Sequence, residues 1–178
     1  LAEGKGAARE HPVEFRLHNL DNARMKRVLE ACARLFGWTP RPGPSKRGFG
    51  VACGEDAGTY VASMAEVKVD VATGAIRVLR VACAQDMGVV VNPEGARQQM
   101  EGCIMMGLGY TLAEEVRFRN GEVIEKNFGG YSLPKFSWMP KIQTLILHSP
   151  DLPAQGCGEP AIVTMGAVIA NAVFDATG

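Results

Sequence analysis

The run Pro153-Ala154-Gln155-Gly156-Cys157-Gly158-Glu159-Pro160 sets one carboxylate between a glycine-rich loop and an apolar stretch, Ala161 to Ala176. Two chemistries suit a glutamate placed there. A helix N-terminus carries about half a positive charge and unpaired backbone donors, so Glu159 reads first as a capping carboxylate. Held instead on a glycine-lined loop against an apolar helix, its pKa would rise toward working pH, and it would serve as a general base. Spacing alone leaves both readings open.

A second run is Asp86-Met87-Gly88, Asn92-Pro93, Gln99-Met100-Glu101-Gly102 and Met106-Gly107-Leu108-Gly109. Asn92 is a good N-cap and Pro93 suits the first helical position, so a helix is predicted from Pro93 to about Ala113. Each interior glycine weakens such a helix by about 1 kcal/mol relative to alanine, which implies that something approaches its backbone closely. Gln99 alone reads as a solvated helix residue. The five cysteines (Cys32, Cys53, Cys83, Cys103, Cys157) and three histidines (His11, His18, His148) fall in no metal-ligand spacing. The cysteines are expected mostly as free thiols in a core, and any metal must arrive inside a cofactor. Neither Gly4-x-Gly6 nor Gly107-x-Gly109 opens a strand-to-helix turn, so no dinucleotide site is predicted.

Several elements must position these residues. Residues 12 to 36 carry helical periodicity, with an interruption expected at Asn19 to Asn22. From Gly37 to Gly50, three prolines and four glycines predict a connector, with Arg41, Lys46 and Arg47 solvated on it. Val67, Val69 and Val71 alternate with Glu66, Lys68 and Asp70, which predicts a half-buried strand over Gly58 to Val71. Thr73-Gly74 turns the chain into an antiparallel partner, Ile76 to Ala84. Asn120-Gly121 marks a hairpin between Val116 to Phe118 and Glu122 to Ile124. Lys141 to His148 is a further strand, and Ala161 to Ala176 a helix buried on most sides, too short to span a membrane. Short turns between strand pairs predict an α+β fold of antiparallel strands with packed helices. A helical segment over 1–40 and an α+β part over 41–178 form one compact unit.

Nineteen basic residues balance nineteen acidic ones in this 178-residue chain. No positive field is available for a phosphate backbone, so nucleic acid is not an expected partner. The chain starts without Met and stops on an unfinished helix-to-turn signal; both ends are expected to be cut, and compartment is left open.

Gly156-Cys157-Gly158-Glu159-Pro160, with the helix after it and Phe174-Asp175-Ala176-Thr177-Gly178, resembles the Gly-x-Gly-Glu segment of molybdenum hydroxylase large subunits, the xanthine dehydrogenase and aldehyde oxidase family. The Asp86 to Glu115 series resembles the same family in order and spacing. So do Pro12 to Leu20 and Tyr131 to Pro140, the latter closest to the isoquinoline 1-oxidoreductase branch. His11 and Gly102-Cys103 depart from the family's usual acidic residue and Gly-Gly or Gly-Ala.

The resemblance implies a C-terminal portion of a molybdenum-cofactor oxidoreductase that hydroxylates an N-heteroaromatic ring or an aldehyde, with water as oxygen source. Glu159 would be its catalytic base. Gln99, Gly156, Cys157 and Gly158 would bind molybdopterin, in its cytosine dinucleotide form. Iron–sulfur clusters on a separate small subunit would carry electrons away. The isolated chain is expected to be inactive, because earlier segments complete the site. The competing expectation is a non-catalytic interaction module in which Glu159 is only a cap.

Overall fold

A computed structural model describes residues 11–39 and 44–178; Gly4, Gly6 and Arg41 lie outside them. The helical stretch is two helices, α1 (Pro12–Asn19) and α2 (Ala23–Phe36). Each begins on a side-chain cap. His11 Nδ1 accepts from the Glu14 N–H at 3.4 Å, and Asn22 Oδ1 from the Met25 N–H at 3.0 Å. The second cap is what separates the helices at the expected interruption. His11, the departure from the family pattern, has capping as its local task, and its Nε2 accepts from the Trp38 indole at 3.0 Å.

A four-stranded sheet carries the rest: β1 (Arg47–Asp56), β2 (Thr59–Asp70), β3 (Ala75–Asp86) and β6 (Lys141–Ile146), in spatial order β1-β2-β3-β6. The first three form an antiparallel meander, and β6 joins β3 in parallel. The chain reaches β6 by way of α3 (Pro93–Leu112) and the hairpin β4 (Phe118–Arg119)–β5 (Glu122–Val123). A parallel neighbour requires such a crossover. The Asn120-Gly121 turn has both residues at positive φ, as its sequence demands. The fold is α+β, with a mixed sheet.

Each face of the sheet is covered. On one, α2 packs Val28, Leu29, Cys32 and Phe36 over Val51, Ala62, Met64 and Ala82. On the other, α3 and α4 (Met165–Thr177) pack Met100, Ile104, Leu108, Met165, Val168, Ile169 and Ala172 over Val61, Ala65, Val67 and Val81. Covering on both sides buries β2 almost end to end, where alternation alone predicted one wet face.

Several further expectations are corrected. The Gly37 to Gly50 connector stops at Lys46, because Arg47 to Gly50 already belong to β1. Its glycines are there for packing: a Cβ on Gly48 would sit 1.9 Å from the Ala172 carbonyl oxygen, and one on Gly50 1.9 Å from that of Val168. The backbone of α4 therefore lies directly on β1. The expected Ala161 to Ala176 helix is a short 3-10 turn, Pro160–Ile162, followed by α4. And α4 is an outer layer, with Met165, Val168, Ile169, Ala172 and Ala176 facing the sheet while Ala167, Ala170 and Phe174 face outward. Residues 160–177 are apolar and long enough on composition to pass for a membrane span. Yet the α-helical part is 13 residues, short of the roughly 20 a bilayer requires.

Glu66, expected on the wet side, is buried at 5% exposure beside a bulge in the β2–β3 register. Arg80 Nε donates to it at 2.8 Å and Arg47 Nε at 3.0 Å, so Arg47 is an ion-pair residue and not a solvated linker charge. Burial on its own would raise this carboxyl; the two arginines outweigh it and hold Glu66 below its ordinary value. Asp86 is depressed in the same manner, burial being outweighed by Arg24, the Gly88 N–H and Ser149. A carboxyl with a lowered folded-state pKa adds stability that is complete above its unfolded value and lost as pH falls through the folded one. The thermal midpoint is expected to be flat above about pH 5 and to drop below about pH 4. Glu66→Gln should flatten that acid limb; a variant with the wild-type acid profile would refute the assignment.

Candidate functional site

The glycine loop's backbone is held by hydrogen bonds from three separate parts of the fold. Gly156 N–H donates to the Ala57 carbonyl at 3.1 Å, and the Gly156 carbonyl accepts from Thr59 Oγ1 at 2.5 Å. Ala57 lies in the β1–β2 turn, where it and Gly58 have positive φ, and Thr59 opens β2. A Cβ on Gly156 would come 2.5 Å from that of Ala57, so only glycine lets the turn and the loop meet. Gln155 N–H donates to the Met87 carbonyl at 2.9 Å, just beyond β3. The Cys103 thiol, on α3, donates to the Gly158 carbonyl at 2.9 Å. Burial raises the Cys103 pKa and the nearby Glu159 carboxylate adds to it, so the thiol keeps its proton for this bond.

These staples set the loop against the first turns of α3. The two enclose a cleft of about 380 Å³ lined by Met87, Val89, Ala96, Gln99, Gln155 and Cys157 among others. Gln99 and Cys157 thus share one cavity wall system, and a Cβ on Gly158 would lie 3.7 Å from Gln99 Nε2. Gln99 is exposed, and among the described residues its amide has no hydrogen-bond partner. Gly156 faces the β1–β2 turn rather than the cleft. Glu159 follows Gly158 at the rim, exposed, and is not among the residues lining the cavity.

Glu159 stands at the N-cap position of the 3-10 turn but does not cap it with its carboxylate. Its side chain makes no capping hydrogen bond, it precedes the 3-10 turn, and α4 begins only at Met165. At the true start of α4, Thr164 Oγ1 is engaged with Ser63 Oγ at 2.7 Å. The close approach expected along α3 occurs at Gly107, against Met165, and at Gly109, against Glu114 and Pro134. Asn92 caps α3 through the Gly95 N–H at 3.0 Å. All five cysteines are free.

Thr59, Ala57, Met87 and Cys103 escaped a reading of the sequence as site-building residues. The available signals were the Ala57-Gly58 turn immediately before Thr59 and the Asp86-Met87-Gly88 motif, whose local type says nothing of a distant loop.

Residues 31–140 match the family model of the molybdopterin cofactor-binding domain. The chain is 36% identical to a component of the nicotinate dehydrogenase of Pseudomonas putida over 188 residues, covering 97% of this chain and 16% of that protein. It is 31% identical to the beta component of isoquinoline 1-oxidoreductase of Brevundimonas diminuta over 170 residues, covering 94% and 22%. Among solved structures, quinoline 2-oxidoreductase from Pseudomonas putida 86 superposes with a TM-score of 0.62 at 31% identity, over 66% of this chain and 16% of that one. The Cu,Mo-CO dehydrogenase gives a TM-score of 0.62 at 27% identity, over 66% and 16%. The chain therefore spans about a fifth or less of the length of these relatives.

Proposed function

The chain belongs to the molybdopterin cofactor-binding family, and from that premise we propose that it forms one wall of the active site of a molybdenum-dependent hydroxylase. The observation that carries this reading is the meeting of Gln99 and Cys157 at one cleft, with Gly158 beside the Gln99 amide, between elements far apart in sequence. The residues present suit a pterin cofactor: a free amide, a glycine-lined backbone and an apolar wall of Met87, Val89 and Ala96.

When bound, the molybdenum cofactor supplies the two-electron redox chemistry. The chain supplies position and proton transfer. Gln99 hydrogen-bonds the pterin through its free amide. Cys157 and Gly158 bring backbone to the cofactor, and Gly156, bonded to Ala57 and Thr59, fixes the loop that carries them. Glu159, with no ion pair or cap among the described residues, accepts a proton at a carboxylate oxygen. Water is the oxygen source, and the substrate is an N-heteroaromatic ring, as in the nicotinate and isoquinoline relatives, or an aldehyde. A small iron–sulfur subunit takes the electrons, and the cofactor is in its cytosine dinucleotide form.

The test is composition. Full-length protein purified from its host is expected to contain molybdenum stoichiometric with this chain and to release a fluorescent pterin on oxidation. Protein with neither would be the interaction module instead.

A further inference from the structure

Asp86 is the most completely enclosed charge among the described residues, at 0% exposure, and it stands at the end of β3 where the cleft begins. Its carboxylate accepts from Arg24 Nη2 at 3.1 Å and Nε at 3.2 Å, and from Arg27 Nη2 at 2.7 Å, both on α2. It also accepts from Ser149 Oγ at 3.1 Å and from the Gly88 N–H at 3.2 Å. Arg27 reaches Ser149 as well.

Gly88 and Ser149 belong to the two chain segments that wall the cleft. Gly88 leads into Val89, whose N–H donates to the Leu152 carbonyl at 3.1 Å. Ser149 begins the turn that returns through Leu152 to Gln155, whose N–H meets Met87. Beyond Gln155 lie Gly156, Cys157, Gly158 and Glu159. On the far side, Arg24 lies over the Tyr60 ring at 4.6 Å, and Tyr60 follows Thr59, the residue bonded to Gly156. One carboxylate thus joins α2, the 86–89 segment and the 149–157 segment at a single point.

We propose that Asp86 is a positioning residue: clamped by Arg24 and Arg27, it sets the spacing of the 86–89 and 149–157 segments and through them the placement of Gln99 relative to Cys157 and Glu159. The clamp is a property of the chain itself, and its consequence for turnover rests on the hydroxylase reading above. The Thr59 and Cys103 side chains hold the loop from the β1–β2 and α3 sides, but neither joins the 86–89 segment to the 149–157 segment. The remaining bonds between the two segments are backbone pairs with no charge to fix their direction, while a buried carboxylate among two guanidiniums and a hydroxyl admits few other geometries.

Hydrogen exchange on the full-length protein separates the two layers. In Asp86→Asn, the amides of residues 87–89 and 152–156 are expected to exchange about tenfold faster, while those of 49–52 and α4 change less than about twofold. Ser149→Ala, which keeps both arginine pairs and the buried charge, should give the same pattern at about threefold and covers the case in which Asp86→Asn fails to fold. Turnover should fall in kcat with KM near wild type and with molybdenum retained. Unchanged exchange in 87–89 and 152–156 would overturn the clamp, as would equal acceleration in 49–52, which means general loosening. Faster local exchange with unaltered kcat would overturn the positioning role. If the wild-type protein lacks pterin, the hydroxylase reading fails while the exchange result still judges the clamp.

Discussion

Glu159→Gln in the full-length protein is expected to lower turnover by roughly 10² to 10⁴-fold while molybdenum content and thermal midpoint stay at wild-type values. The magnitude is that of a general base removed without removing its shape. Glutamine keeps the volume and one carbonyl oxygen but cannot take up a proton at working pH. The structure explains why the fold should not notice. Glu159 is exposed, its side chain caps nothing, and it makes no ion pair among the described residues. A carboxylate whose only task were capping would behave in the opposite way, with stability falling by about 1 kcal/mol and turnover little changed. Steady-state kinetics, metal analysis and a melting curve on the same preparation therefore separate the alternatives, and near-normal turnover would remove Glu159 from the chemistry.

The second large effect concerns the backbone. Gly50→Val is expected to destabilise the protein by about 3 kcal/mol or more, a large part of the roughly 5–15 kcal/mol that holds a typical domain. The added Cβ would lie 1.9 Å from the Val168 carbonyl oxygen and 2.6 Å from the Ala172 nitrogen, and neither atom can rotate away. The whole of α4 would have to lift from β1. Asn171 Nδ2 donating to the Val51 carbonyl at 3.0 Å and the Phe49 N–H donating to Asp175 at 2.9 Å would go with it. At roughly 2–4 °C per kcal/mol for a chain of this size, the midpoint should fall by about 6–12 °C or more. Gly102→Ala is the matched control. It lies on the exposed side of α3 with nothing within 4 Å of an added Cβ, so the substitution should be neutral or stabilising by up to about 1 kcal/mol. Equal midpoints for the two variants would show that α4 does not rest on the glycines of β1.

What the sequence made legible divides along the range of the interactions involved. The break between α1 and α2, the start of α3 and the Asn120-Gly121 hairpin are set by caps and turns within a few residues, and local chemistry suffices to read them. Gly48 and Gly50 read as breakers because their reason lies more than a hundred residues away, in α4. Glu66 read as solvated because Arg80, its strongest partner, arrives from the next strand across a bulge. The parallel placement of β6 has no sequence signature at all. The site shows the same division. The loop from Gly156 to Glu159 drew notice by its own residues, and Gln99 through family resemblance. The bonds that hold the loop, from Ala57, Thr59, Met87 and Cys103, were invisible, since each is an ordinary residue whose role exists only once the chain has folded.

The contact between β1 and α4 also sets an order of events during synthesis. Asn171 follows Val51 by 120 positions, and at a translation rate of about 5–20 residues per second the strand waits on the order of ten seconds for the helix that covers it. During that interval the meander carries α2 on one face and α3 on part of the other, while the glycine-floored trough of β1 waits uncovered. The nascent protein thus passes through a partly clothed sheet, and the closing helix brings with it the loop from which Glu159 projects.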